Sequence, residues 1–304
     1  MKASIDIGTN TTLLLVADKN GPSLNILEEQ QRIPRLGAGV DDSKALSKAA
    51  MERVVESLRE FLEIINNKYP EVDDIYVTAT SAVRDAKNKA VFIDRVEHET
   101  GLQIRVLSGV EEAEYTFLGA KSMLGDLEGQ QMVIDIGGGS TEIAYGGKQL
   151  QDRYSYDMGC VRFTERFLKN DPPTELQIRH CKDAVKEMLE EYEFTIPNQT
   201  TLIGVAGTVT SLTFIDLGLS SYDAEVLSGR IITNEGLQEY IKIFSGYRSK
   251  ALEQKYPSVM KGRADIFMAG LLILDGFMNE YNFEELITST GGIRHGAILA
   301  NKEK

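Results

Sequence analysis

The sequence predicts an α/β protein with two domains. The chain has 304 residues, which is about the length of two ordinary domains. Strand-like and helix-like segments alternate along its first third, as in proteins with helices packed on a mixed sheet. A strand–turn–strand pattern at residues 5–12 returns at residues 134–141. These observations together favour two similar halves, each built around a sheet.

The first half alternates strands and helices. Alternating apolar residues predict strands over Ala3–Ile7, Thr12–Ala17, Leu24–Leu36, Asp74–Ala79 and Gln103–Leu107. Helical spacing predicts helices over Leu46–Ile65, Ala90–Thr100 and Val110–Leu124. Ser47 is the expected N-cap of the first helix, and Ser108 and Gly109 open the third.

The second half starts with another strand pair and is then rich in helices. The predicted strands are Gln131–Ile136, Glu142–Tyr145, Thr201–Val205 and Leu286–Thr288. The predicted helices are Thr174–Tyr192, Thr208–Leu217, Glu235–Phe244 and Gly262–Tyr281. No Pro/Gly/Ser linker separates the halves, so we expect a tight joint near residues 120–130. The predicted domains are residues 1–122 with 284–304, and residues 123–283.

Composition excludes several functional classes. The chain carries 33 basic and 46 acidic side chains, a formal charge of −13, which opposes nonspecific binding to nucleic acid or an anionic membrane. No apolar run approaches the length of a membrane span, and the amino terminus is not that of a signal peptide. Cys160 and Cys181 have no metal-ligand spacing and are expected to be buried or half-buried thiols. We therefore expect a cytoplasmic protein, with a homodimer neither required nor excluded by the sequence.

The two related turns are the main functional signal. Each follows an apolar Ile-Asp-Ile strand and combines glycine with hydroxyl side chains. The turn residues are Gly8, Thr9, Asn10 and Thr11, and then Gly137, Gly138, Gly139, Ser140 and Thr141. Either turn alone is explained by a tight hairpin, but two copies favour phosphate binding by converging backbone N–H groups. Asp6 and Asp135 end their strands where they could hold a hard cation.

The ordered motifs resemble the exopolyphosphatase/guanosine pentaphosphate phosphatase family, in its short two-domain form. Besides the two turns, the resemblance rests on RLGAGV at residues 35–40, TATSAVRDA at 78–86, SGVEEA at 108–113, GVAGT at 204–208 and GGIRHG at 291–296. One departure is Leu13, where many members carry a basic residue. The resemblance implies two ribonuclease-H-like domains of the actin-like ATPase superfamily and an active-site cleft between them. Mg²⁺ is the expected metal because the candidate ligands supply only oxygen atoms.

The resemblance also suggests roles for individual residues. Glu112 is the expected general base or water-positioning group, with Glu111 as its rival, although a helix-stabilising role fits both acids. Glu142 is implied as a second essential acid that assists the water or the metal, with Asp6 and Asp135 as the metal ligands. His98, His180 and His295 are scattered and are expected to be surface or partly satisfied residues.

Basic residues supply further candidates for phosphate binding. Arg84 could bind a phosphate in bidentate fashion, or simply pair with Asp85 or Glu97. Arg294 is a second candidate, and Gly207 and Thr208 begin a helix suited to an anion. Between Lys242 and Arg263 the basic residues outnumber the single acid, Glu253. That stretch is either a solvated face or a positive rim that guides a polyphosphate tail.

The sequence thus predicts a magnesium-dependent phosphohydrolase that cleaves the terminal phosphoanhydride of inorganic polyphosphate or guanosine pentaphosphate. A sugar-kinase-type phosphotransferase and an actin-like nucleotide-binding scaffold with vestigial hydrolysis are the alternatives. About 300 residues fit two actin-like domains and leave none to grip a long polyanion, so we expect poor processivity on long polyphosphate and a bias toward short or nucleotide substrates. The preference between the two substrates is left open.

Overall fold

The structure is a computed structural model that describes residues 1–20, 23–125, 127–197 and 199–301. The chain divides into two compact units. Unit 1 comprises Met1–Ser122 and Gly291–Lys304, and unit 2 comprises Met123–Thr290. Each unit has its own hydrophobic core, so each is described by itself.

Unit 1 contains five strands and six helices among its described residues. The strands are β1 (Lys2–Ile7), β2 (Thr12–Asn20), β3 (Ser23–Arg32), β4 (Asp74–Ala79) and β5 (Ile104–Val106). The helices are α1 (Val40–Ser43), α2 (Lys48–Lys68), α3 (Ser81–Asp85), α4 (Lys89–Thr100) and α5 (Gly109–Ser122), together with the last helix of the chain, α14 (Ile293–Ala300).

Unit 2 is larger and richer in helix. Its strands are β6 (Gln131–Ile136), β7 (Thr141–Gly146), β8 (Leu150–Tyr156), β9 (Thr201–Val205), β10 (Ile231–Thr233) and β11 (Glu285–Thr288). Its helices are α6 (Cys160–Phe167), α7 (Glu175–Leu189), α8 (Ala206–Asp216), α9 (Ala224–Leu227), α10 (Asn234–Phe244), α11 (Ser249–Lys255), α12 (Pro257–Met260) and α13 (Phe267–Glu280).

The two sheets repeat one topology. In unit 1 the strand order is β3-β2-β1-β4-β5, with β1 antiparallel to β2 and parallel to β4. In unit 2 the order β8-β7-β6-β9-β11 matches it position by position, and β10 is added at the edge. The β6 strand is likewise antiparallel to β7 and parallel to β9. The repeated sequence pattern therefore marks the same hairpin, β1–β2 and β6–β7, at the centre of each sheet.

Most predicted elements are present, with shifted ends. The β4, β6 and β9 strands and the Ser47 cap on α2, whose side chain accepts from the Ala50 N–H, match the prediction. The prediction omitted β8, β10, α6 and several short helices, and it began α13 too early, at Gly262 instead of Phe267. Short or partly exposed segments of this kind bury too few apolar residues to give a clear period.

The return of the chain to unit 1 lies later than predicted. The predicted return is at residue 284, but β11 pairs with β9 and β10 inside the second sheet. This pairing keeps residues up to Thr290 in unit 2, and unit 1 resumes at Gly291. Residue 126 of the predicted joint and residues 302–304 of the predicted first domain lie outside the described residues.

The buried residues include both cysteines and one histidine. Cys160 and Cys181 are buried free thiols, as predicted, and burial raises the pKa of each to about 12. His295 is partly satisfied, as predicted: it is fully buried on α14, and its Nε2 has no hydrogen-bond partner among the described residues. Its Nδ1 accepts a hydrogen bond from the Gly292 N–H, and burial lowers its pKa to about 3. In the described parts of the chain, no helix is long and apolar enough to cross a bilayer.

Candidate functional site

The first turn closes the β1–β2 hairpin. The Gly8 N–H donates to the Thr11 carbonyl over 2.9 Å, and a Cβ at Gly8 would lie only 3.1 Å from that oxygen. The far side of the turn is fastened to the segment after β3. The N–H groups of Arg35 and Gly37 donate to the carbonyls of Asn10 and Thr9, over 3.0 and 2.8 Å. The RLG motif therefore holds the first turn in place.

The second turn has the same geometry with a different support. The Gly137 N–H donates to the Ser140 carbonyl over 3.0 Å, and a Cβ at Gly137 would again lie 3.0 Å from that oxygen. Here the first residues of α6 replace the loop of unit 1. The N–H groups of Cys160 and Val161 each donate over 2.9 Å, to the carbonyls of Gly137 and Gly138. Carbonyl groups of both turns thus accept hydrogen bonds from neighbouring backbone N–H groups.

Two backbone N–H groups of the second turn are available to bind a ligand. Within the described residues, the N–H groups of Gly138 and Gly139 donate to no protein acceptor. Both residues lack a Cβ, so an anion can approach their backbone closely. Successive N–H groups in a glycine turn form the concave arrangement that binds phosphate oxygens. The second turn is therefore chemically suited to a phosphate group.

The carboxylates beside the turns are buried. Asp135 and Glu142 are paired across β6 and β7, with 7% and 2% of each residue exposed. The Ser155 hydroxyl donates to Glu142 Oε1 over 2.7 Å. In unit 1, Asp6 accepts from the Thr78 hydroxyl over 3.2 Å and is paired across the hairpin with Leu13. The second hairpin thus carries two carboxylates where the first carries one.

These oxygen donors suit magnesium more than a transition metal. Mg²⁺ prefers hard oxygen ligands, and it is often held by one or two carboxylates together with waters and substrate phosphates. The Asp135–Glu142 pair fits that donor set. Across the described residues, no group of three or more His, Cys, Asp or Glu side chains forms a complete metal cage. Any magnesium at these carboxylates would thus need further ligands from water and phosphate.

Glu112 is buried on α5 in an ion pair with Arg84. Only 2% of Glu112 is exposed, and its carboxylate accepts a hydrogen bond from the Arg84 guanidinium. The same Arg84 Nη1 donates to the Leu107 carbonyl over 3.1 Å, and Arg84 Nε lies 3.9 Å from Asp85. A neighbouring guanidinium favours the ionised form of a carboxylate, which is the form that can orient or deprotonate water.

Glu111 has a different environment, at the exposed start of the same helix. Its carboxylate accepts from the Ser108 N–H and hydroxyl, both over 2.8 Å, while the Ser108 oxygen accepts from the Glu111 N–H. This reciprocal arrangement is a capping box. Arg105 also donates to Glu111, and the hydrogen bonds from Ser108 lower the pKa of this carboxyl below its ordinary value. Of the two acids, Glu111 thus has the environment of a helix-stabilising residue.

The remaining predicted phosphate ligands lie in two places. Gly207 and Thr208 are in the first turn of α8, directly after β9, the parallel neighbour of β6. Ala206 before them has a φ of 65°, a conformation that costs a residue with a Cβ and is typical of functional turns. Arg294 lies in unit 1, where it donates to the Leu14 carbonyl over 2.9 Å and pairs with Glu29 at 3.1 Å. The guanidinium of Arg294 is therefore already engaged with groups of its own unit.

Comparison with known proteins identifies the family. A sequence profile described as the Ppx/GppA phosphatase family matches residues 15–304. The chain belongs to the Ppx/GppA phosphatase family. It is 33% identical to Exopolyphosphatase 2 of Mycobacterium tuberculosis, over 98% of this chain and 97% of that protein.

Solved structures of this family share the fold. The crystal structure of the Aquifex aeolicus Ppx/GppA family member has a TM-score of 0.82 and 30% identity, covering 98% of this chain and 96% of that one. An exopolyphosphatase-like protein has a TM-score of 0.89 and 32% identity, with 98% and 97% covered. The predicted fold class, two actin-like α/β domains, is confirmed for this Ppx/GppA protein.

Two residues that were not predicted support the second turn of this Ppx/GppA protein. Arg162 is buried, and its Nε donates to the Gly139 carbonyl over 2.6 Å. Gly159 lies so close that a Cβ there would be 2.5 Å from the Gly138 carbonyl oxygen and 2.6 Å from Gly139 N. The available signal was a glycine and an arginine just after a strand, at residues 159–162. Because β8 and α6 were not predicted, nothing linked that segment to the turn.

Proposed function

We propose that this protein is a magnesium-dependent phosphohydrolase that removes the terminal phosphate from inorganic polyphosphate or guanosine pentaphosphate. The observation that carries the proposal is the pair of glycine turns with the same closing hydrogen bond, Gly8 to Thr11 and Gly137 to Ser140, in a Ppx/GppA chain. Similarity to a protein named Exopolyphosphatase 2 supports polyphosphate as a substrate.

Substrate binding starts with the backbone. Amide groups of the turns bind and orient phosphate oxygens, and they neutralise part of the charge that grows on those oxygens in the transition state. Because the support from α6 and from the RLG motif fixes the turns in advance, little reorganisation accompanies binding. The hydroxyls of Thr9, Thr11, Ser140 and Thr141 lie within or directly beside these turns. Asp6, Asp135 and Glu142 would hold Mg²⁺, which shields phosphate charge when bound.

Glu112 then acts on the attacking water. Its ionised carboxylate accepts a proton from the water as the water oxygen bonds to the terminal phosphorus. The bond from phosphorus to the bridging oxygen breaks, and that oxygen leaves with the electron pair on the shortened phosphate chain. Arg84 fixes the orientation of Glu112 through their ion pair. It can also turn to a phosphate, since its planar fork binds either anion.

A substrate panel tests the proposal. Purified protein is assayed for phosphate release from tripolyphosphate, long polyphosphate, guanosine pentaphosphate and ATP, with Mg²⁺ and with EDTA. We expect release from polyphosphate or guanosine pentaphosphate, lost with EDTA and independent of any sugar acceptor. If neither substrate releases phosphate with Mg²⁺ present, the proposal is wrong. If release requires a sugar acceptor, the protein is a phosphotransferase instead.

A further inference from the structure

A run of exposed cations lies on unit 2 around α10, α11 and α12. Its members, called the basic segment here, are Lys242, Arg248, Lys250, Lys255 and Lys261. All five side chains are exposed. None of them forms an ion pair with an acid of the described chain. The proposed catalytic chemistry uses none of them.

The basic segment contrasts with the charge of the whole chain, in which the acidic side chains outnumber the basic ones by 46 to 33. Several cations elsewhere are held in ion pairs, and others, such as Lys48, Lys148 and Lys186, are exposed at scattered positions. Elsewhere Lys2 pairs with Asp73 and Asp74, and Arg95 pairs with Glu52 and Glu99. The basic segment keeps its charges unpaired and is therefore a local positive surface on an acidic protein.

One aromatic cluster joins the helices that carry the basic segment. The Phe244 ring at the end of α10 contacts the rings of Tyr247 and Tyr256, with centroids 6.1 and 6.3 Å apart. The Lys255 ammonium lies 5.1 and 5.3 Å from the centroids of the same two tyrosine rings. A further ring contact at 5.8 Å joins Phe244 to Phe267 of α13. Lys255 is thus held against the cluster that packs these helices together.

The end of the basic segment leads to the second glycine turn. Two residues after Lys261, the guanidinium of Arg263 donates to the Gly207 carbonyl over 3.1 Å and to the Ser211 hydroxyl over 3.2 Å. Ile266 then packs against Cys160 and Val161, the residues whose N–H groups hold the second turn. Within unit 2, a short chain of contacts therefore connects the cations with the phosphate turn.

We propose that the basic segment binds the distal phosphates of a linear polyphosphate whose terminal phosphate is held at the second turn. The substrate class rests on the proposed function. Each cation that neutralises a phosphate releases counterions, so this contribution favours long chains and decreases as salt increases. Tripolyphosphate is too short to gain from it. RNA fits less well, because Lys255 lies over the two tyrosine rings that would otherwise stack with bases.

The test compares two triple variants with equal changes in charge. K242Q/K250Q/K261Q removes three cations of the basic segment, and K48Q/K148Q/K186Q removes three exposed lysines elsewhere. Steady-state kinetics on tripolyphosphate and long polyphosphate are measured at low and high salt. We expect the first variant to raise KM for long polyphosphate about tenfold at low salt. Its kcat and its KM for tripolyphosphate should stay unchanged, and the control variant should resemble the wild type.

Equilibrium binding of long polyphosphate and of single-stranded RNA separates this inference from the proposed function. Weaker polyphosphate binding by the first variant alone supports the basic segment, even if the wild type hydrolyses nothing. If both triple variants changed polyphosphate binding equally, the cause would be the net charge and not the basic segment, and the inference would be overturned. Tighter binding of RNA than of polyphosphate, lost in the first variant, would overturn it in favour of a nucleic-acid surface.

Discussion

Asp135 on β6 and Glu142 on β7 are direct cross-strand partners, while the equivalent pair in the first hairpin is Asp6 and Leu13. The two hairpins share their topology and their closing hydrogen bond, but only the second presents two carboxylates on adjacent strands. Leu13 lies at the position of the first hairpin that corresponds to Glu142 in the second. The repeated hairpins are therefore alike in topology and closing hydrogen bond but differ in their carboxylates, and we propose that the second has the main metal-binding role.

Loss of the Glu142 charge should weaken the response to magnesium. We expect E142Q to raise the Mg²⁺ concentration for half-maximal activity roughly 10- to 100-fold, because one of two paired oxygen ligands becomes a neutral amide. Activity is titrated with Mg²⁺ at saturating substrate. E187Q, an exposed acid on α7, serves as the control with the same charge change. A normal Mg²⁺ titration for E142Q would remove Glu142 from the metal site.

Substitutions of Glu112 and of Glu111 should have clearly different effects on kcat. E112Q removes the proton acceptor for water, so we expect kcat to fall about 10²- to 10⁴-fold. E111Q preserves the capping geometry and should retain near-normal kcat. The two variants are adjacent and isosteric, and circular dichroism checks that both are folded. The assignment is wrong if E111Q is the inactive variant or if E112Q turns over normally.

Gly159 should be essential for the shape of the second turn. An added Cβ would overlap the backbone of Gly138 and Gly139, so G159A must displace the turn or α6, at a cost of about 1–3 kcal/mol. We expect a large loss of activity with a smaller loss of stability. The control is G246A, whose Cβ would have ordinary contacts. Comparable activity of the two variants would show that the turn tolerates displacement.

Glu111 should make unfolding stability depend on pH. Its pKa is lowered in the folded protein by hydrogen bonds from Ser108, so the carboxylate stabilises the fold at pH values above the ordinary glutamate pKa. This stabilisation disappears as the pH falls through the lowered folded value. Because this helix cap is partly exposed, we expect the free energy of unfolding of the wild type to exceed that of E111Q by about 0.5 kcal/mol at pH 7. Urea unfolding at pH 7 and at pH 3 should show this difference narrowing, and a constant difference would contradict the argument.

The hairpins, the long helices and the family were predictable because their signals are local. Strand alternation, helical spacing and the Ile-Asp-Ile-Gly repeat lie within short windows of sequence, and α2 even shows its Ser47 cap. The point at which the chain returns to unit 1, predicted at residue 284, could not be found from local patterns. Residues 285–288 form an ordinary short strand, and only their pairing with β9 and β10 assigns them to unit 2.

The sequence by itself determined two α/β domains, two glycine turns and the acids beside them. It could not decide which of Glu111 and Glu112 faces the attacking water, since both are glutamates at adjacent positions near the start of the same helix. Tertiary structure distinguished their environments, by placing Arg84 against Glu112 and Ser108 against Glu111. It also brought Gly159 and Arg162 onto the second turn. The Ser108–Glu111 contact spans only three positions. The contacts of Arg84, Gly159 and Arg162 join residues about twenty or more positions apart, and such pairings depend on how sheets and helices pack rather than on any local pattern.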